Sequence, residues 1–453
     1  DTWHRLRHFS YPTVHIRDLN ESLLVRFGIS SRMVRKRRRL ITKSPFMNTT
    51  LLRVFLPFAT GYMLGYRVRT VNAVIAPDLV AELGLSAGDL GLMTSIFFAT
   101  FASFQLPLGL LLDRFGPRRT EAGLMLITAV GATIFAVSHT AAGLITGRAL
   151  LGLGTSACLM AAMTAFVLWF PRERIPLING CQMAAGGMGA LLSTIPVANA
   201  AELIGWRGVF WVVAGISILV AIMIFTVVPE RTGTKKVGGL KEQLSGIGHI
   251  FTSPLFWRIA PVSIASQSSF IAVQSLWTGP WLHDVGGIER SAVGDYLMII
   301  AISMIVGFLS MGALTARLGR FGITTMQVAI VGISIFILIQ SGIILVGSEA
   351  PGLLWAGYGF FGSVGILGYG ALSQSFPQEI AGRVVTGLNL LVFSGAFLGQ
   401  WGVGLVIDQY PLTASGGYAK EAFDMAFLLL IGMQATAVVW YLVFRPKSQV
   451  KNS

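Results

Sequence analysis

An all-α membrane protein of two six-helix bundles is the fold class this sequence predicts, on three observations. The first is composition. Of 453 residues, 54% are hydrophobic and only 12% are Asp, Glu, Lys or Arg, against about 25% charged in a soluble domain. Mean hydropathy is +0.70. A soluble globule of this length cannot cover so much apolar surface with so few charges, and a disordered chain would be far less apolar. The second is segmentation: the apolar residues fall into twelve runs of the length that crosses a bilayer. The third is symmetry: the one long connection, 229–255, has six runs before it and six after it.

In chain order the runs are 52–77, 88–112, 120–138, 141–169, 176–203 and 207–228, then 256–281, 292–316, 323–346, 351–375, 382–408 and 421–444. The connections carry turn residues, such as Phe115-Gly116-Pro117 and Pro171-Arg172-Glu173-Arg174, which break helices by freeing or fixing φ. The expected organisation is therefore a bundle over 47–228, a linker over 229–255, a bundle over 256–445 and a short tail, 446–453. The first 46 residues differ. They are polar and include Arg35-Lys36-Arg37-Arg38-Arg39, while Met47-Asn48-Thr49-Thr50 leads directly into the first apolar run. Residues 1–46 are thus a basic tail, either an extension that is not native or a cytoplasmic segment able to touch anionic lipid. They contain no apolar core of a signal peptide.

Lys and Arg in short loops set orientation. With the N-terminus inside, the inner loops hold fifteen basic residues: Arg114, Arg118, Arg119, Arg172, Arg174, Arg231, Lys235, Lys236, Lys241, Arg317, Arg320, Arg383, Arg445, Lys447 and Lys451. The outer loops hold three, Arg207, Arg290 and Lys420. The expected topology is multi-pass in the cell inner membrane with both termini cytoplasmic. The net charge of +14 is then explained by the inner surface and the basic tail, and nucleic acid is not an expected partner. Acidic residues Asp78, Glu82, Asp89, Asp284, Glu289, Asp408, Glu421 and Asp424 gather near the outer side. Cys158 and Cys181, both in apolar runs, are expected to be small buried hydrophobes.

The two halves repeat weakly. Gly109-Leu-Leu-Leu-Asp113-Arg114-Phe-Gly116 aligns with Gly312-Ala-Leu-Thr-Ala316-Arg317-Leu-Gly319 at an offset of 203, and Phe170-Pro171 with Phe376-Pro377 at 206. Parallel six-span repeats with a midplane site between them are a transporter plan. The segment Gly109–Arg119, GLLLDRFGPRR, resembles the loop 2–3 signature of the major facilitator superfamily, with Pro117 where that family often has a basic residue. The resemblance spans about 48–445. It implies two six-helix bundles related by pseudo-two-fold symmetry, rocking about a cavity lined by helices 1, 4, 7 and 10. It also implies gating by Asp113, Arg114, Arg118, Arg119 and Arg317. In physical terms, the arginines can pair with Asp113 or with carbonyls at helix C-termini. The bland reading of the cluster is a positive-inside anchor.

Charges inside spans are costly and usually functional. Arg69 in span 1 and Arg148 in span 4 both fall in the outer half of the bilayer, with no mid-membrane Asp, Glu or Lys in the sequence to neutralise them. Such arginines suit capture of carboxylate, nitrate or phosphate, so the expected substrate is a small anion. Arg67 points to another face. Arg148 also begins Arg148-x-x-x-Gly152-x-Gly154, which resembles a structural motif of the same family. Asn72 completes the polar part of span 1. In span 7, Gln267, Gln274, Trp277 and Trp281 share one stripe at helical spacing, and Gln274 and Trp277 are taken as cavity wall. Span 10 offers Tyr358 and Tyr369; span 11 offers Asn389 and Ser394. The alternative for all of these is interhelical hydrogen bonding or an interfacial aromatic belt. Gly186-Gly187-x-Gly189 in span 5 suits close helix packing and departs from the family's antiporter signature. Symport with protons usually needs a titratable carboxylate in the cavity; Asp295, near the outer start of span 8, and Glu121, at the inner start of span 3, are the near-membrane candidates, and the alternative for both is an interfacial position.

No catalytic, metal or cofactor constellation is present. There is no Walker loop, and the six histidines, His4, His8, His15, His139, His249 and His283, have no metal spacing. The expectation is a non-enzymatic secondary transporter that acts as a monomer, takes up a small organic or inorganic anion by symport or exchange, and has the lipid bilayer as its other partner. The alternatives are an exporter of drugs, siderophores or metabolites, and a non-transporting receptor or scaffold on the same fold.

Overall fold

The computed structural model describes residues 49–171, 174–230, 248, 250–347, 349–376 and 378–444. The chain separates into Asp1–Leu52 and Arg53–Ser453. The predicted tail 1–46, most of the linker 229–255, the segment 446–453, and Arg172, Arg445, Lys447 and Lys451 lie outside the described residues. All regular structure among the described residues is helical.

Span 1 is α1 (Leu56–Thr70) and α2 (Asn72–Leu83). Spans 2 and 3 are the two arms of α3 (Ala87–Val137), bent at Gly116. Span 4 is α4 (Ala141–Thr155) and α5 (Cys158–Trp169). Span 5 is α6 (Ile175–Leu192) and the first arm of α7 (Ile195–Val227), whose second arm, after Gly205, is span 6. Gly116 and Gly205 have φ of 75° and 71°, where a side chain is strained. These glycines turn the chain between neighbouring spans. The second half repeats the plan. Span 7 is α8 (Pro254–Ala272), a π-helical turn (Val273–Trp277) and α9 (Thr278–Asp284). Span 8 is α10 (Arg290–Gly319) and span 9 is α11 (Thr325–Val346). Span 10 is α12 (Pro351–Gly362), a 3₁₀ turn (Ser363–Ile366) and α13 (Leu367–Ser375). Spans 11 and 12 are α14 (Gln378–Ile407) and α15 (Lys420–Val443). Six of the helices, and α4 and α5 taken together, are long and apolar enough to cross a membrane; spans 1, 4, 5, 7 and 10 are interrupted, and α3 holds two spans.

Helix ends follow local rules. Ser86 and Thr324 open α3 and α11 with reciprocal capping boxes to Asp89 and Gln327. Proline stands in the first turn of α1, α6, α7, α8 and α12, where its missing N–H costs nothing. Breaks fall in span 5, at Ser193–Thr194, and in spans 1, 4, 7 and 10, at Val71, Ser156–Ala157, Val273–Trp277 and Ser363–Ile366. The internal repeat pairs span 1 with span 7 and span 4 with span 10, and irregular backbone at membrane depth survives only where protein or a cavity covers it.

The surface is inside-out relative to a soluble protein. Leu203, Leu219, Leu338, Leu345 and Leu353 are exposed, while Trp277, Trp281, Trp355 and Arg148 are fully buried. Small residues let backbones approach: a Cβ on Gly131 in span 3 would sit 2.9 Å from Leu150 Cβ of α4. Cys158 is buried as expected, but Cys181 is exposed on α6. An apolar run alone does not say which face of its helix meets protein and which meets lipid.

Candidate functional site: a central cavity with one charge

A cavity of about 420 Å³ lies among α1, α3, α5, α8, α13 and α14. Its wall is mostly apolar and aromatic, with Tyr62 and Tyr66 from span 1, Phe97 and Phe101 from span 2, Phe393 from span 11 and Met160, Met163 and Met183 between them. Among the described residues Arg69 is the only ionic side chain on that wall. It is half-buried, its guanidinium stacks 4.7 Å from the Tyr66 ring centroid, 5.5 Å from Phe393 and 5.7 Å from Phe98, and its Nε has no hydrogen-bond partner. Among the described residues no ion pair includes it. Aromatic faces stabilise a guanidinium but do not cancel its charge, so the cavity carries one unneutralised cation. Polar groups elsewhere on the wall are few. Tyr369 donates to Asn389 Oδ1 at 3.2 Å, Gln267 Nε2 donates to the Gly362 carbonyl at 3.2 Å, and Gln105, Thr155 and Ser156 complete the set.

The other sequence-derived candidates lie off this wall. Arg148 is fully buried between Phe135 and Phe210, 5.3 and 5.8 Å from their centroids, and its Nη1 donates to the Val68 carbonyl at 2.8 Å. It thus holds the last turn of α1, next to Arg69, with its cation against a helix C-terminus. Asn72 is fully buried and donates to Thr94 Oγ1 at 2.9 Å. Gln274 and Trp277 lie in the π turn; Trp277 Nε1 donates to the Gln400 carbonyl at 2.8 Å and its ring packs on Gly91. Tyr358 is buried within the second bundle, its ring 5.0 Å from Phe336 and from Trp355 and its hydroxyl 3.3 Å from the Phe270 carbonyl. The misplacement has a physical cause. A straight α-helix advances about 100° per residue, and a π turn inserts one residue into that register. Gln267, before the insertion, faces the cavity; Gln274, Trp277 and Trp281, within or after it, do not. The 3₁₀ turn separates Tyr358 from Tyr369 in the same way, and Tyr369 is the one on the wall.

At the end that the loop charges assign to the outside, the halves are tied together. Asp408, at the end of α14, accepts from Ala87 N and Gly88 N, each at 2.8 Å, and from Ser86 Oγ at 3.0 Å. An anion thus sits on the N-terminus of α3, where orphan N–H groups and the helix dipole favour it. Arg290 pairs with Asp78 across the same seam. Glycine lets the backbones meet there: a Cβ on Gly404 would strike the Ala87 carbonyl, and one on Gly279 the Ala73 carbonyl. Beside the seam, Glu82 binds Arg207 at 2.5 Å and Trp206 Nε1 at 2.9 Å; the arginine holds its carboxyl below the usual glutamate range.

At the opposite end the loop 2–3 cluster is tied within its own half. Arg119 pairs with Glu230 at 2.5 Å, Arg118 lies 3.8 Å from the same carboxylate, and Arg118 Nε donates to the Phe225 carbonyl in the last turn of α7 at 2.7 Å. Of the two partners expected for these arginines, the helix C-terminus is the one engaged. Asp113, Arg114 and Arg317 are exposed, and Arg114 lies 5.2 Å from the Phe115 ring centroid. Among the described residues Asp113 has no ion pair. Of the two carboxylates that the sequence offers for proton coupling, Glu121 is fully buried and not interfacial, while Asp295 is exposed.

The sequence profile described as Major Facilitator Superfamily matches residues 58–400. The Bacillus subtilis transporter YybO is 25% identical over 60% of this chain and 74% of its own length. A hexuronate transporter of the same organism is 23% identical over 86% and 94%, and a quinolone resistance transporter of Acinetobacter baumannii 21% identical over 86% and 94%. The fold matches the crystal structure of a bacterial homologue of the human lysosomal transporter Spinster in an inward-facing, unoccupied conformation, with a TM-score of 0.69 and 17% identity, covering 88% of this chain and 97% of that one.

Proposed function

Because the chain belongs to the major facilitator superfamily, we propose that it takes up a small organic anion by alternating access, held in the central cavity by Arg69. The transporter class and a multi-pass membrane protein with a small-molecule substrate follow from membership. The anion follows from one observation: a single guanidinium with no carboxylate partner among the described residues, on a mostly apolar wall. A charge in such surroundings is stabilised by a counter-ion more strongly than it would be in water, and guanidinium matches a carboxylate's two oxygens. One fixed positive charge selects a monoanion. The aromatic and methionine lining suits an apolar body attached to it. The hexuronate transporter among the relatives carries an anion by its name.

The cavity is built by one chain, which supports a monomer as the working unit. The tied seam at Asp408 and Asp78 supports an inward-open state, given the predicted orientation in the inner membrane with cytoplasmic termini. Opening that seam while the loop 2–3 side closes would present Arg69 to the outside. Export of a bulky apolar compound is the second reading, favoured by the methionines and phenylalanines on the wall and by the quinolone resistance relative.

Thermal unfolding of the purified protein with benzoate, glucuronate, nitrite or tetraphenylphosphonium separates the two. A ligand that binds only the folded state at 100 times its Kd stabilises it by about 2.7 kcal/mol. Benzoate is expected to raise Tm, Arg69→Ala to abolish the rise and Arg69→Lys to weaken it. Stabilisation by tetraphenylphosphonium alone, unaffected by Arg69→Ala, would replace the anion reading with the export reading.

A further inference from the structure

Glu121 opens the span 3 arm of α3. It is 0% exposed, and neither carboxyl oxygen has a hydrogen-bond partner. Its neighbour Thr120 donates to the Leu111 carbonyl at 3.0 Å, so the turn from span 2 is satisfied without it. The elements packed against the carboxyl bring no cation. Helix α1 offers Gly61, and a Cβ there would run into Glu121 Oε1; the span 6 arm of α7 offers Ile224, whose Cδ1 is next nearest to that point. Helix α5 offers the thiol of Cys158, which is also buried. Among the described residues no Arg, Lys or His pairs with Glu121.

An ionised carboxylate cannot persist there without a partner, because desolvating it costs several kcal/mol with no Coulombic return. A purely structural position would be filled better by Leu or Met. The carboxyl is also near the cavity. Gly61 and Gly65 lie one turn apart on the same face of α1, where Cβ positions are about 5–6 Å apart. A Cβ on Gly61 meets Glu121; a Cβ on Gly65 would sit 3.2 Å from Cys158 Sγ. Carboxyl and thiol therefore occupy successive rungs of one groove cut by two glycines. Gly65, Cys158 and Tyr62, the residue after Gly61, are all cavity wall.

We propose that Glu121 is a proton-binding site: its carboxyl takes up a proton in one conformation of the carrier and releases it to water in the other, coupling transport to the proton gradient. Proton binding converts the carboxylate to the neutral acid, and no other bond changes. Movement inside the first bundle, of α1 and α5 against α3, opens the glycine groove to the cavity, which solvates the carboxylate and lets the proton leave. This rests on the anion reading only for stoichiometry: one monoanion on Arg69 with one proton on Glu121 moves no net charge.

The test has an arm that needs no substrate. Infrared spectra of the purified full chain are compared across pH for wild type, Glu121→Gln and Glu121→Asp. The expected result is a carboxylic-acid C=O band in wild type that converts to carboxylate as pH rises, is absent from Glu121→Gln and is moved in Glu121→Asp. In the second arm, proteoliposomes are given labelled benzoate. Glu121→Gln, which mimics the neutral acid, should keep benzoate counterflow but lose accumulation driven by a pH gradient; wild-type accumulation should be insensitive to membrane potential. A band that does not titrate, no band assignable to Glu121, or gradient-driven accumulation by Glu121→Gln would each overturn the proposal. If benzoate is not carried at all, the anion reading fails and the infrared arm alone decides the proton site.

Discussion

Single side chains show where charge in this protein is neutralised and where it is left free. Arg148 and Arg69 look alike in the sequence, two arginines in apolar spans. Packing separates them: Arg148 is sealed between two phenylalanine faces with Nη1 on the Val68 carbonyl and Nε and Nη2 unpartnered, whereas Arg69 opens onto the cavity. Glu82 is a third case, a carboxylate at the outer edge held by Arg207 and Trp206. Since its folded pKa is lowered, its contribution to stability is whole above the ordinary glutamate range and is lost as pH falls through the lower folded value. Glu82→Gln should therefore flatten the acid limb of Tm against pH while changing Tm near neutrality little. An acid limb identical to wild type would show that the pair adds nothing. The acidic residues near the outer face were legible in the sequence; their partners, up to hundreds of residues away, were not.

Helices are the level at which the sequence is most readable and at which its one systematic error arises. Twelve apolar runs became twelve spans because hydrophobic length is a property of the segment itself. Facing is not. It depends on an unbroken 3.6-residue period, and the π turn in span 7 and the 3₁₀ turn in span 10 reset that period. Arg69, placed before the break in its span, was legible as a cavity group; Gln267, also before the break, was visible only as one member of the stripe and was passed over for Gln274 and Trp277. Gln274, Trp277 and Tyr358 fall elsewhere for reasons that no residue count reveals. The glycine-rich stretch of span 5 was readable as packing, and the structure shows its object: a Cβ on Gly189 would strike the Met63 carbonyl of α1. Gly189→Ala should lower Tm, at the roughly 1–3 kcal/mol typical of overpacking, by forcing α6 from α1. An unchanged Tm would mean that the pair of helices can part freely.

For the molecule as a whole, the balance between states is set at its two ends. One end is closed by Asp408 on α3, the Arg290–Asp78 pair and interleaved glycines. At the other, Asp113 stands exposed while Arg118 and Arg119 are held by Glu230. Interaction of an anion with a helix N-terminus is worth up to about 2 kcal/mol when partly buried, enough to shift a two-state ratio severalfold. Asp408→Asn should therefore move the population away from the closed seam. Spin labels on the outer ends of α3 and α14 should report longer distances in the variant; unchanged distances would show that glycine packing alone closes the seam.

Gly88 and Asp408 are 320 positions apart, yet a Cβ on Gly88 would land on the Asp408 carboxylate. The two positions share one small volume. A side chain at 88 has to push the Asp408 carboxylate off the Gly88 N–H, so the acid keeps its full seat on α3 only while 88 stays bare, and a change at either position loosens the same door.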